Sequence, residues 1–400
     1  MAEHDGAAAA LDALAERYWQ FLRHEFPLSA LLAGQPNDDP TMFRESPADV
    51  DRRAATAAAL LAELDAIAPE ALAPQPRITH GLLRRELSDL CEAHATGSHL
   101  RPWLLPVGPE FSTVFFANSV ELADAEAARR YGARLATLPG YLADVQACLQ
   151  RGLERGLRYP RPVLQAAHAN LMALVSGPVE AMPWLGPFRR SPAAASGVLE
   201  AEARHARDEV EQRLLPALRA YAGFVQDRLL PAARDSIACT DDPGGAAYYA
   251  FWVRHFTTVP MEPMAIHALG LSEVERLERE VEAVAAQAGF AGDAAGYRRF
   301  LREDPRFRAP SADALRQAVE VLAKRIDGRI PSLIGRLPRS SYGVQSIPPA
   351  AAEKLPLAYA QPNPADGSAA GQLWISSLPD RAPLYTLVSI TLHEAWPGHL

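Results

Sequence analysis

Lysine is almost missing from this chain. Lys324 and Lys354 are the only two in 400 residues, so nearly all of the 40 basic side chains are arginine. With alanine abundant as well, this reads as a compositional bias of the source genome and carries no function. Cysteine is scarce: Cys91, Cys148 and Cys239 are the whole supply, with no Cys-x-x-Cys pair. That odd, sparse set argues against a disulfide framework and favours a reducing compartment. No apolar run is long enough to span a bilayer. The start is acidic and soon meets Asp12, Glu16 and Arg17, unlike a secretory signal. The expectation is a cytoplasmic protein without a membrane partner. An excess of positive charge is also lacking. The net charge is −8, so the chain is not built to hold a polyanion, and nucleic acid is not an expected partner. Arg84-Arg85 and Arg189-Arg190 read as solvated faces. There is no Gly-x-Ser-x-Gly elbow, phosphate loop or dinucleotide glycine pattern, which disfavours a serine hydrolase, a kinase or a nicotinamide enzyme. No repeat of constant period supports a solenoid.

What remains is a folded chain, 48% hydrophobic and 22% charged, with the length of two or three domains. Helical spacing dominates. Segments 8–23, 47–67, 78–95, 162–175, 197–228, 271–287 and 312–326 are predicted helices, and others begin at 123 and 141. Ser46-Pro47 starts one of them. Ser272 with Glu275 reads as a capping box opening another. Residues 100–116, rich in proline and aromatics, read as an extended buried connection. After Pro331 strand-like pieces appear at 357–360 and 372–377. Asp366-Gly367 between them is a hairpin signal. Residues 384–394 then read as a buried helix. The expected division is an N-terminal helical region, 1–110, a central helical region, 111–330, and a strand-containing region, 331–400, that leads into a metal-binding helix.

The chemistry sits at residues 393–399, His-Glu-Ala-Trp-Pro-Gly-His. Zinc hydrolases need neutral imidazoles as ligands and a carboxylate beside the metal. Adjacent His393 and Glu394 suit this, because the ligand fixes the ion and its neighbour reaches the attacking water. The usual helical version spaces two histidines four apart. Here His399 follows His393 by six, and on a regular helix six residues rotate about 240°, which points the rings apart. Pro397 and Gly398 must therefore break the helix, and the break is what would return His399 to the metal. The competing reading is a plain helix end with a satisfied histidine and a surface glutamate.

Residues 382–399 resemble the signature of a bacterial family long labelled domain of unknown function 885. Leu138-Pro-Gly-Tyr-Leu, Arg151-Gly-Leu-Glu-Arg-Gly with Pro160-Arg-Pro-Val-Leu, Tyr248-Tyr249 with Thr257-Thr258, the run from His267 to Arg276 and Asp366-Gly-Ser are similar to the same family in the same order. The resemblance implies a mainly α, zincin-like fold related to helical oligopeptidases and carboxypeptidases, with a small β-sheet near the metal site. It implies one zinc ion per complete chain, held by His393 and His399, with Glu394 as general base. It implies a third, acidic ligand on a later helix beyond Leu400. The 400 residues are therefore expected to be part of a longer chain, and in this form to bind metal poorly and be inactive. Two departures stand out. The family often has a further histidine where this chain has Leu400, and often has Arg-Pro before the glycine where this chain has Ala369-Ala370.

The expected function is cleavage of short peptides. The rivals are a helical binding or scaffold protein and a zinc amidohydrolase acting on a non-peptide amide. Gln372 to Ser377 reads as an edge strand able to pair with an extended substrate. Trp374 and Tyr385 are candidate substrate contacts, and Tyr385 and Tyr359 candidate oxyanion partners. Cys91, His94 and His99 cluster in sequence, but with a spacing that matches no zinc site. His168, His205, His255 and His267 read as structural.

Overall fold

The computed structural model describes residues 2–32, 34–35, 39–105, 107–193, 197–337, 339–353, 355–363 and 369–400. The chain is mainly helical and divides into two compact units, 1–263 and 264–400. That boundary falls inside the central region, 111–330, that the sequence treats as one.

Among its described residues the first unit has helices and no strand, with one isolated bridge pairing Pro160 with Arg234. Helices Ala2–Glu25, Pro47–Asp65 and Pro74–Ala95 pack around Leu11, Leu14, Leu60, Leu64, Leu83 and Leu87. Pro47 begins the second of these where a missing N–H costs nothing, and Ser46 accepts the Asp49 N–H. A larger core gathers Phe116, Tyr131, Trp184, Leu218 and Tyr221 from the helices that follow. Segment 200–229 runs almost unbroken, with π-helical turns at Val210–Leu214 and Val225–Leu229.

Segment 100–116 departs from expectation. Its second half is not extended but opens the helix Pro109–Asn118. Pro109 sits in the first turn, where proline is pre-organised, and burial of Phe116 and Ala117 outweighs the poor helix propensity of the aromatics. Glu110 in this helix is 8% exposed, and burial raises its carboxyl above the usual carboxylate range. The sign follows from linkage. Below the ordinary value of 4.5 Glu110 is neutral folded or unfolded. Above the raised value the folded chain holds a buried charge that the unfolded chain solvates. Glu110→Gln should therefore raise Tm at pH 7 by roughly 2–4 °C, the shift about 1 kcal/mol gives at this size. The gain should vanish near pH 4, which melting curves at the two pH values will check.

The second unit holds helices Pro263–Gln287, Ala294–Glu303, Ala312–Asp327 and Leu387–Glu394 and a three-stranded sheet. The first of these begins eight residues before the expected start. Ser272 is no cap; its hydroxyl donates to the Leu269 carbonyl from within the helix. Helix Ala312–Asp327 does follow the sequence. Ser311 accepts the Ala314 N–H, and Leu315, Val319 and Ala323 are buried.

Strands β1 (Tyr342–Ser346), β2 (Ala358–Gln361) and β3 (Gly371–Ile375) have the order β1-β3-β2. β3 runs parallel to β1 and antiparallel to β2. The β2–β3 pairing is the expected one, while Asp366-Gly367 lies outside the described residues. The edge-strand reading of 372–377 is corrected. β3 is central with both ladders filled, because β1, unseen in the sequence, takes its other side. Leu373 and Ile375 point into a core with Leu315, Val319, Leu387 and Ala395.

Candidate metal centre

Helix Leu387–Glu394 places the site. Leu387, Thr391 and Ala395 recur every four residues and are buried, with the Thr391 hydroxyl donating to the Leu387 carbonyl. Val388 and Leu392 are exposed, so this is not the all-round buried helix expected from the sequence. With the Leu387 face held down, His393 is turned to solvent and Glu394 is half-buried.

At Ala395 the chain leaves the helix, passes a cis Trp396–Pro397 bond, and doubles back. The His399 N–H then donates to the His393 carbonyl at 3.0 Å. Gly398 is what allows this. A Cβ on it would lie 2.0 Å from the His393 oxygen and 2.5 Å from the Leu392 oxygen. Trp396 anchors the turn edge-on to Tyr342 of β1, with ring centroids 5.4 Å apart.

The turn brings the two imidazoles together. Their Nε2 atoms are 3.1 Å apart, and the rings are nearly perpendicular, at 89°. Two nitrogens each about 2.05 Å from a tetrahedral zinc would lie about 3.3 Å apart. Donor atoms of His393, Glu394 and His399 all lie within 4.8 Å of one another. Two ring nitrogens facing each other with a carboxylate alongside fit a divalent cation of zinc's preferences.

A cavity of about 440 Å³ opens beside His393 and Glu394. It is lined by Pro356, Leu357, Ala358, Ser389, Ile390, His393 and Glu394. One wall is thus the start of β2 and the other helix Leu387–Glu394. A cavity of about 280 Å³ in the first unit has no such chemistry. There Arg101 stacks on Tyr248 with its guanidinium carbon 4.0 Å from the ring centroid, and Arg234 holds backbone carbonyls.

The other candidates fall elsewhere. Trp374 alternates to the sheet face opposite Leu373 and Ile375, stacks on Tyr359, and donates its indole N–H to Gln361 at 3.2 Å. Tyr385 precedes the helix that ends in Glu394, about 12 Å along its axis from His393, and meets Phe307 edge-on. Neither is brought to the histidine pair. Asp366 to Ser368 lie outside the described residues. Cys91 joins the packing of the N-terminal helices, while His94 and His99 meet Asp51, a partner no local spacing announces.

The fold and site define a mainly helical protein with a small mixed sheet and a His-Glu…His cluster at the end of a sheet-packed helix. The chain belongs to the family described as "Bacterial protein of unknown function (DUF885)", whose pattern matches residues 27–400. Among solved structures it is similar to one described as "putative lipoprotein from Colwellia psychrerythraea". The TM-score is 0.85 at 20% identity, covering all of this chain and 72% of that one, which establishes a shared fold. No curated protein matches. No helix among the described residues is long and apolar enough to cross a membrane.

Proposed function

We propose that this chain carries the metal site of a zinc-dependent, zincin-like hydrolase that cleaves short peptides. The single observation behind this reading is the return of His399 onto His393, Nε2 to Nε2 at 3.1 Å, despite a spacing that a straight helix would splay. His393 and His399 hold the ion. Bound zinc supplies Lewis acidity, polarising a carbonyl and acidifying a water. Glu394, half-buried beside the pair, takes the proton of the attacking water on its carboxylate and returns it to the leaving amine. With Glu394 kept as base, the third protein donor comes from a segment outside this cluster.

An extended substrate fits beside β2. This strand has one ladder, to β3, and its first residue shares the cavity wall with His393 and Glu394. Main-chain pairing along its outer edge would hold a peptide without demanding particular side chains.

Zinc analysis and hydrolysis assays on the full-length protein test this. About one zinc per chain is expected. Dialysis against a chelator should abolish cleavage of tri- to pentapeptides, and zinc should restore it. Absence of bound metal after zinc is supplied would sink the mechanism and leave a helical binding protein. Cleavage of acylated non-peptide amides alone would move the substrate class to amidohydrolysis.

A further inference from the structure

The geometry points to a second divalent-cation site, in the first unit, built by Asp51, His94 and His99. It does not rest on the proposed function, since all three residues lie outside the unit that carries His393.

Three elements converge. Asp51 stands in the first turns of helix Pro47–Asp65. His94 is in the last turn of helix Pro74–Ala95, which packs against it. His99 lies in the short turn Ser98–Leu100 that follows. Gly97 reverses the chain with φ +72°, a left-handed conformation that glycine adopts freely. This reversal lays the His99 ring on the His94 ring, 4.7 Å between centroids and 8° between planes. The His94 Nε2 is 2.9 Å from Asp51 Oδ1. One donor atom from each of the three residues lies within 4.8 Å of the others.

The local hydrogen bonding leaves a gap. The Nδ1 of His99 is enclosed and has no hydrogen-bond partner among the described residues. An enclosed polar atom without a protein partner calls for one from solution, a water or an ion. A structural pair would need only His94 and Asp51. The stacked second imidazole adds a donor of the kind late first-row cations select. Two imidazoles and one carboxylate suit zinc, cobalt or nickel, whereas magnesium and calcium prefer an all-oxygen shell. Parallel rings point their nitrogen lone pairs side by side, so coordination asks one imidazole to turn out of the stack while the donors close to about 3.3 Å; the His94 side chain, 33% exposed, and that of Asp51, 58% exposed, are the ones with solvent to move into. Arg151, 4.0 Å from Asp51 Oδ2 and half exposed, competes for the same carboxylate.

The test uses the full chain carrying His393→Ala and His399→Ala, so that the first site cannot contribute. Zn²⁺ is followed by calorimetry and Co²⁺ by visible absorption. One equivalent should bind. Asp51→Asn or His94→Gln should weaken it by roughly 10–100-fold, at least the loss seen when a ligand's supporting partner is removed. Arg151→Ala should tighten it. Far-UV circular dichroism checks that each variant is folded. Independently of any substitution at the site, Co²⁺ should selectively broaden the ring resonances of His94 and His99. No binding by the His393→Ala/His399→Ala chain, binding indifferent to both Asp51→Asn and His94→Gln, or broadening that spares these two rings would each overturn the site.

Discussion

Replacing Gly398 with alanine should strip the chain of its zinc affinity at His393 and His399 while leaving most of the fold intact. An alanine Cβ there would sit 2.0 Å from the His393 oxygen, 2.5 Å from the Leu392 oxygen and 2.6 Å from the His393 carbonyl carbon. Carbon contacts are comfortable only at about 3.5–4.0 Å. All three obstacles are backbone atoms at the end of a packed helix, so no side chain can swing aside. The turn must open by an ångström or more, and His399 then loses the 3.0 Å bond from its N–H to the His393 carbonyl. The two Nε2 atoms part, and a shared ion loses one imidazole. Zinc titration should show a loss of at least about 10–100-fold, close to that of His399→Ala. Gly398 is exposed, so the melting temperature should move far less than a core substitution would move it. Native zinc affinity in Gly398→Ala would mean that the ring pairing seen here is not what binds the metal.

The turn at Pro397-Gly398 was legible in the sequence only in part. A six-residue spacing on a helix places two histidines on different faces, and Pro397-Gly398 is the one feature able to undo it. The need for a break was readable. That the break depends on Gly398 approaching two carbonyls was not, because close approach of backbone to backbone leaves no trace in composition. The helix with a chemical start at Ser46-Pro47 was readable for the same local reason. Ser272 carried the same sign and misled, since its hydroxyl is satisfied equally well by the Leu269 carbonyl one turn back. The sheet was legible only in part. β2 and β3 neighbour each other in sequence and pair as a hairpin does. β1 pairs in parallel with a strand almost thirty residues on, and its Tyr-Gly-Val-Gln-Ser has no clean alternation. Without β1, β3 looks like an edge. Asp51 shows the limit most plainly: forty-three residues separate it from His94, and only the packing of two helices joins them.

Glu394→Gln should separate metal binding from chemistry. The amide keeps the size of the carboxylate and its place at the end of helix Leu387–Glu394, but it cannot accept a proton. If His393 and His399 hold the ion and Glu394 serves as base, the full-length variant should keep about one zinc per chain. Hydrolysis of short peptides should fall by about 10²–10⁴-fold, the usual worth of a positioned acid–base group. His393→Ala should lose metal and activity together, which sets the contrast. The structure leaves both roles open to Glu394, because a carboxylate oxygen lies within 4.8 Å of one ring nitrogen of each histidine, near enough to bind an ion or to reach a water beside it. Loss of zinc along with activity in Glu394→Gln would make Glu394 a third ligand and require the base to come from elsewhere. Retained zinc with undiminished cleavage would remove the only acid–base group this cluster offers, and the hydrolytic mechanism with it.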